Sequence, residues 1–243
     1  MLEYSSMQKK FQIAIDGPVA AGKSLTAKRV AEKLGFVYVD TGAIYRSVTL
    51  MALRNGVDLR DETALVDLAE KIEVDVQLPK EDVVDGRQST VLVDGEDVSW
   101  KIRLGKVNRE VAHVAALSKV RKVLVRKQQA IAVGKNVIME GRDIAEVVLP
   151  NADLKIFLTA SNEARQQRYF QSRSAKKKGL SMEQVADWLK LRDETDRNRK
   201  ASPLKKSEDA WLVDSSELTI EQVVDKIMGK VSEIQKNSIS EGN

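Results

Sequence analysis

The chain has 243 residues, with 40 Lys plus Arg against 36 Asp plus Glu, a formal charge of +4 and 42% hydrophobic residues; this is ordinary globular composition, enough for one elaborated domain rather than two large ones. The absence of cysteine and the single histidine, His113, exclude disulfides, thiolate metal sites, cysteine nucleophiles and a zinc site built on histidines. No apolar run reaches the roughly 18 residues of a membrane span, and the opening MLEYSSMQKKF lacks the pattern of a signal peptide, so a cytoplasmic protein is expected.

Phe11 to Ile15 reads as a buried strand, broken by Asp16-Gly17-Pro18, and a helical pattern runs from Gly22 to Leu34. Gly35 ends that helix; a second strand over Phe36 to Val39 leads through Asp40-Thr41-Gly42 into a helix reaching about Arg54. Strand and helix alternate, which favours a parallel sheet covered by helices. A helix over Asp61 to Ile72 then precedes short strands at Val74 to Leu78, Ser89 to Val93 and Glu96 to Ser99. The turn pairs Asp85-Gly86 and Asp94-Gly95 imply antiparallel pairing, hence a small meander inserted in the parallel core.

Helices over Val107 to Ala116 and Val120 to Val133 lead back to core strands at Val137 to Met139 and Leu154 to Leu158. Two polar helices follow, Ser161 to Lys178 with Arg165, Arg168 and Arg173, and Ser181 to Arg197. A hairpin this charged is expected to be exposed and mobile. Trp211 to Val213 supplies a last strand and Ile220 to Ile234 an amphipathic closing helix, with Gln235 to Asn243 expected to fray.

Gly17-Pro-Val-Ala-Ala-Gly-Lys-Ser24 fits G-x-x-x-x-G-K-[ST] and sits between a predicted strand and a predicted helix. Several backbone N–H groups must converge on a phosphate, and the positive end of the following helix adds to the same spot. The expected nucleotide contacts are Gly17, Pro18, Val19, Ala20, Ala21, Gly22, Lys23, Ser24 and Leu25, with Lys23 on the β and γ phosphates and the Ser24 hydroxyl on Mg²⁺. GTPases, ATP-driven motors and small-molecule kinases share this loop. No N-K-x-D guanine-reading motif occurs, which disfavours a GTPase.

Asp40-Thr41-Gly-Ala-Ile-Tyr-Arg46 places a carboxylate, a hydroxyl and a guanidinium around a helix start, where Arg46 and the helix end can face one anion. The same residues also suit a merely well-capped helix. Glu140-Gly-Arg142-Asp143 follows a strand at the carboxyl edge, where open α/β sheets place ligands. Arg192-Asp-Glu-Thr-Asp196-Arg-Asn-Arg199 reads in isolation as a solvated face with i to i+4 pairs; beside a phosphate loop it supplies the cations that phosphoryl transfer needs.

Five segments, IAIDGPVAAGKS, VDTGAIYR, VIMEGRDI, RDETDRNR and SPLKKSEDAWLVDSS, together make the chain resemble the bacterial cytidylate kinases from about Phe11 to Met228. The resemblance implies an α/β P-loop nucleoside-monophosphate kinase with helices on both faces of a parallel sheet. It divides the chain into a core (about 8–40, 134–160 and 200–235), a monophosphate-binding insert with a small antiparallel sheet (about 41–133) and a helical lid (about 161–199). It implies ATP and Mg²⁺ as cofactors, CMP and dCMP as acceptors, a monomer, and no nucleic-acid or membrane partner. Carried over by position, Arg46, Arg142 and Arg199 bind the acceptor phosphate, Arg121 and Asp143 face the cytosine edge, and Arg192 and Asp196 the sugar hydroxyls. Thr41 joins the substrate contacts, Arg165 and Arg168 are lid arginines over the ATP phosphates, and Asp40 helps hold Mg²⁺ through water. Lys23, Arg142, Arg165 and Arg199 form the catalytic set.

The chain departs from the family pattern at Ala112, where a serine would help to read cytosine, so relaxed base selectivity is expected. It also departs at Leu104-Gly105 and at Ile144-Ala145-Glu146, which adds a negative charge near the site. A kinase for UMP or another small acceptor, and an RNA-binding P-loop module suggested by the basic balance and the Lys176 to Lys178 run, are the alternatives.

Overall fold

A computed structural model of the chain describes residues 10–87, 89–172, 175–176, 179–198 and 202–240. It runs through β1 (Gln12–Asp16), α1 (Lys23–Leu34), β2 (Val37–Asp40), α2 (Thr41–Arg54) and α3 (Glu62–Lys71), then β3 (Val74–Gln77), β4 (Thr90–Val93) and β5 (Glu96–Asp97). Helices α4 (Gly105–Ala116) and α5 (Ser118–Ala132) lead to β6 (Val137–Glu140), β7 (Leu154–Thr159), α6 (Asn162–Phe170), α7 (Met182–Asn198), β8 (Trp211–Asp214) and α8 (Ile220–Ser240).

Strands β2-β6-β1-β7-β8 form one sheet, parallel throughout, while β3-β4-β5 form the separate antiparallel meander that the turn pairs call for. The parallel strands are apolar on both faces because helices cover both. Ile13 and Ile15 of β1 and Ile138 of β6 pack with Val30 of α1 and Val223 and Ile227 of α8. Ala14, Val137 and Met139, of opposite phase, pack with Ile44 and Val48 of α2 and Leu124 of α5. Gln12 pairs with Val137 and Ile13 with Leu154, so the carboxyl ends of β1 and β6 lie side by side where the strand order switches, the position open α/β sheets use for ligands.

Glycine at position 17 is a steric requirement. Its φ is +146°, and a Cβ there would lie 2.0 Å from the carbonyl oxygen of Leu158 in β7, far inside contact distance.

Several boundaries differ from the sequence reading. The first polar helix ends at Phe170, not Lys178; the Ser172 hydroxyl accepts the Ala175 N–H at 3.2 Å, opening a fresh turn. A 3₁₀ turn, Lys101–Arg103, precedes α4. The closing helix continues through the segment expected to fray and reaches Ser240. The α6–α7 hairpin is not simply exposed: Ala175, Val185 and Leu189 are buried as a small core of their own, against which Val19, Ala20, Tyr169 and Trp188 pack. No helix among the described residues is long and apolar enough to cross a membrane.

Ile138 is fully buried in the sheet's interior strand. Ile138→Ala is expected to cost about 3–4 kcal/mol through lost burial and the cavity left behind, read as a fall in melting temperature of roughly 10 °C.

Candidate active site

At the carboxyl edge of β1 and β6 lies a cleft of about 610 Å³ whose lining includes Lys23, Arg46, Arg121, Arg142 and Arg192. The loop from Gly17 to Ser24 joins β1 to α1, so α1 presents its N-terminus to the cleft. Val19, Ala20, Gly22, Ser24 and Leu25 line it as well. Ala21 is buried beneath, its carbonyl accepting a hydrogen bond from the Ser215 hydroxyl at 3.2 Å. The Lys23 side chain is buried and its Nζ donates to the Pro18 carbonyl at 2.7 Å. Burial, with Arg142 nearby, brings its pKa down to about 7.

The other cations are each held by a carboxylate. Arg46 Nη2 donates to Asp40, and burial working against Arg46 and Arg103 leaves the Asp40 carboxyl below its ordinary range. Arg121 Nη2 donates to Asp143 Oδ2 at 2.6 Å, with its guanidinium 5.5 Å from the centre of the Tyr45 ring. Arg142 Nε donates to Asp196 Oδ2 at 2.8 Å, and Arg192 Nε lies 3.4 Å from the same oxygen. The sequence reading sends Asp196 to a sugar hydroxyl; here it is buried and ties α7 to the Gly141–Asp143 turn.

Thr41 uses its hydroxyl to donate to the Glu140 carbonyl at 2.8 Å, joining α2 to β6. Arg165 is buried and donates to both oxygens of Asp193, at 3.0 and 2.6 Å, and to the Val19 carbonyl at 3.3 Å. It therefore touches the phosphate loop through that loop's backbone. Arg168 turns instead to Ser215, donating to its hydroxyl at 2.9 Å and its carbonyl at 2.5 Å. Arg199 lies outside the described residues.

Besides Asp193, which holds Arg165, two further buried carboxylates received no role from the sequence. Glu140 accepts a hydrogen bond from Tyr38 Oη at 2.5 Å. Asp16 accepts the N–H groups of Ile144 at 2.9 Å and Ala145 at 2.8 Å, and burial, with Asp143 adding to it, raises its pKa to about 6. The available signal was phase: Asp16 follows Ala14 by two, so it faces the covered side of the sheet rather than a solvent turn. The extra charge in Ile144-Ala145-Glu146 is harmless to the cleft, because exposed Glu146 pairs with Lys205 at 2.7 Å. His113 is exposed, as a surface residue should be.

Among the described residues no group of three or more His, Cys, Asp or Glu side chains is placed to hold a metal ion alone. Exposed Ser24, with Asp40 and Glu140 in the same lining, fits an ion brought in on phosphates, since Mg²⁺ keeps several waters and needs few protein oxygens.

A Cβ at Gly42 would lie 2.9 Å from Asp40 Oδ1 and 3.0 Å from Arg46 Nη1. Gly42→Ala should leave the melting temperature nearly unchanged while displacing that pair, weakening the binding of a phosphate-bearing anion in the cleft about tenfold, roughly 1.4 kcal/mol, as measured by titration calorimetry.

A solved structure of an uncharacterised protein from Eubacterium ventriosum superposes on 93% of this chain and 99% of its own, with TM-score 0.51 and 13% identity, and so shares the fold. The family model described as cytidylate kinase matches residues 13–233. A cytidylate kinase of Caldanaerobacter subterraneus is 44% identical over 94% of this chain and 97% of its own length. One of Bacillus licheniformis is 45% identical over 91% and 96%, and one of Bacillus subtilis 42% identical over 93% and 99%. A match that extends from β1 into α8 takes in the phosphate loop, the arginine cleft and the helical hairpin alike, and the chain belongs to the cytidylate kinase family.

Proposed function

We propose that the chain transfers the γ-phosphoryl group of MgATP to CMP or dCMP, giving ADP and CDP or dCDP. The observation that carries this reading is the convergence of Lys23, Arg46 and Arg142 on one cleft beside a phosphate loop, in a member of a family whose relatives are named for cytidylate phosphorylation.

The acceptor oxygen is a phosphate oxygen and already anionic, so no general base is required; alignment and charge neutralisation supply most of the catalysis. In this reading the loop amides and Lys23 bind the donor phosphates, and bound anion returns Lys23 to its full charge. Arg46 and the N-terminus of α2 bind the acceptor phosphate, while Arg142, with Arg199, spans the phosphoryl group in transit. Arg121 and Asp143 supply a donor and an acceptor to the cytosine edge. Arg192 flanks the sugar, with Asp196 holding that arginine and Arg142 in place, Thr41 sets the start of α2, and Arg165 steadies the phosphate loop from the side of the helical hairpin.

Mg²⁺, held on the donor phosphates and by Ser24, with Asp40 or Glu140 through water, would neutralise charge that develops there. Residues 41–133 then serve as the acceptor-binding insert and 161–199 as the lid, which excludes the water that would otherwise take the phosphoryl group.

ADP release measured with CMP, dCMP, UMP, AMP, GMP and shikimate tests the reading: turnover is expected with CMP and dCMP, and a purine preference would overturn the base assignment. Lys23→Ala is expected to lower kcat by about a thousandfold or more with circular dichroism unchanged, whereas near-normal turnover would remove Lys23 from the mechanism.

A further inference from the structure

Asp16 has no part in the roles given above, yet it is buried at the foot of the cleft, one residue before the phosphate loop begins. Its burial is expensive, because a carboxylate shielded from water is disfavoured unless its oxygens are fully engaged. Among the described residues no lysine or arginine lies within ion-pair distance of it. Its partners are instead two main-chain donors, the N–H of Ile144 on one oxygen and that of Ala145 on the other. Bonds of this kind to an ionised acceptor are shorter and stronger than neutral ones.

The place of those donors matters. Gly141 N–H bonds the Ile15 carbonyl at 3.0 Å, so Arg142 and Asp143 are bracketed between two attachments to the last residues of β1. The carboxylate that closes the bracket also ends the strand from which the phosphate loop springs. Lys23 and Arg142 hang from opposite sides of this junction and both reach the same cleft. Beyond the junction, Ile144 and Ala145 are buried, so the turn has little freedom to move except by releasing Asp16.

Resting on the kinase reading, we propose that Asp16 is a positioning residue: by accepting the N–H groups of Ile144 and Ala145 it sets Arg142 and Asp143 opposite the phosphate loop, so that donor and acceptor phosphates meet in line. In-line transfer depends steeply on placement, and misplacement by about 1 Å is worth about a hundredfold in rate.

Asp16→Asn keeps the shape but turns an NH₂ group toward one of the two main-chain donors; Asp16→Ser removes the reach to both. Steady-state kinetics in the full chain should show kcat reduced by at least about tenfold and the KM for CMP raised, with the KM for ATP changed less, since both hydrogen-bond partners of Asp16 lie after the Gly141–Asp143 turn and the loop's Lys23 feels it only through charge. Melting temperatures of the variants should stay within a few degrees of the parent. A kcat within about twofold of the parent in both variants would overturn the proposal. So would a parallel rise of both KM values, or failure of both variants to fold, because Asp16 would then be a support of the core and not of the acceptor site. Absence of CMP-dependent ADP release from the unaltered chain would instead remove the kinase reading itself, whatever the variants do.

Discussion

Crowding of like charge is the constraint around which this molecule is built. Lys23, Arg46, Arg121, Arg142 and Arg192 share one cleft, and without internal anions their mutual repulsion would splay it open. The fold answers with aspartates on different elements: Asp40 on β2, Asp143 after β6 and Asp196 on α7. Each pair joins elements or anchors a turn, so the counter-charges that tame the cleft also tie its walls together. In the proposed reaction an arriving phosphate would compete with an aspartate for a guanidinium already oriented, with little side-chain entropy left to lose.

The same pairing explains where carboxylates could and could not be assigned in advance. The alternation of strand and helix, the loop-to-helix junction and the meander were legible because period, glycine and turn pairs are local signals, and β1, β6 and β7 carried them; the order of the strands in the sheet was not. Arg46, Arg142 and Arg192 stood out in their motifs, whereas Arg121 came only with the family resemblance. The local pair of Arg192 with Asp196 was legible from helical spacing, but Arg142 finds Asp196 across 54 positions and Arg165 finds Asp193 across 28, separations that no local pattern reports. Asp16 was hidden differently: a short polar residue before Gly-Pro reads as a turn until the strand is seen to be covered on both faces. The breadth of the polar hairpin's charge likewise concealed its buried side, which needs only a few residues such as Val185 and Leu189.

The departures from the family pattern sort by depth. Ala112 is exposed and belongs to the cleft lining, so this departure faces whatever the cleft holds. Ile144 and Ala145 are packed inward and Glu146 outward against Lys205, so that substitution alters the support of the turn and the protein's surface. Leu104 is exposed ahead of α4, and nothing in the structure explains its presence there.

The seat of the helical hairpin on the phosphate loop has a thermal consequence. Val19 and Ala20 pack against the small core of Ala175, Val185 and Leu189, as do Tyr169 and Trp188, whose rings stack 4.4 Å between centres. That contact is apolar, and the attraction between apolar surfaces fades on cooling. The hydrogen bond from Arg165 to the Val19 carbonyl beside it, at 3.3 Å, is polar and does not follow that dependence. Cooling would therefore loosen the apolar part of this seat ahead of that hydrogen bond, leaving the hairpin held to the loop at a point rather than along a face.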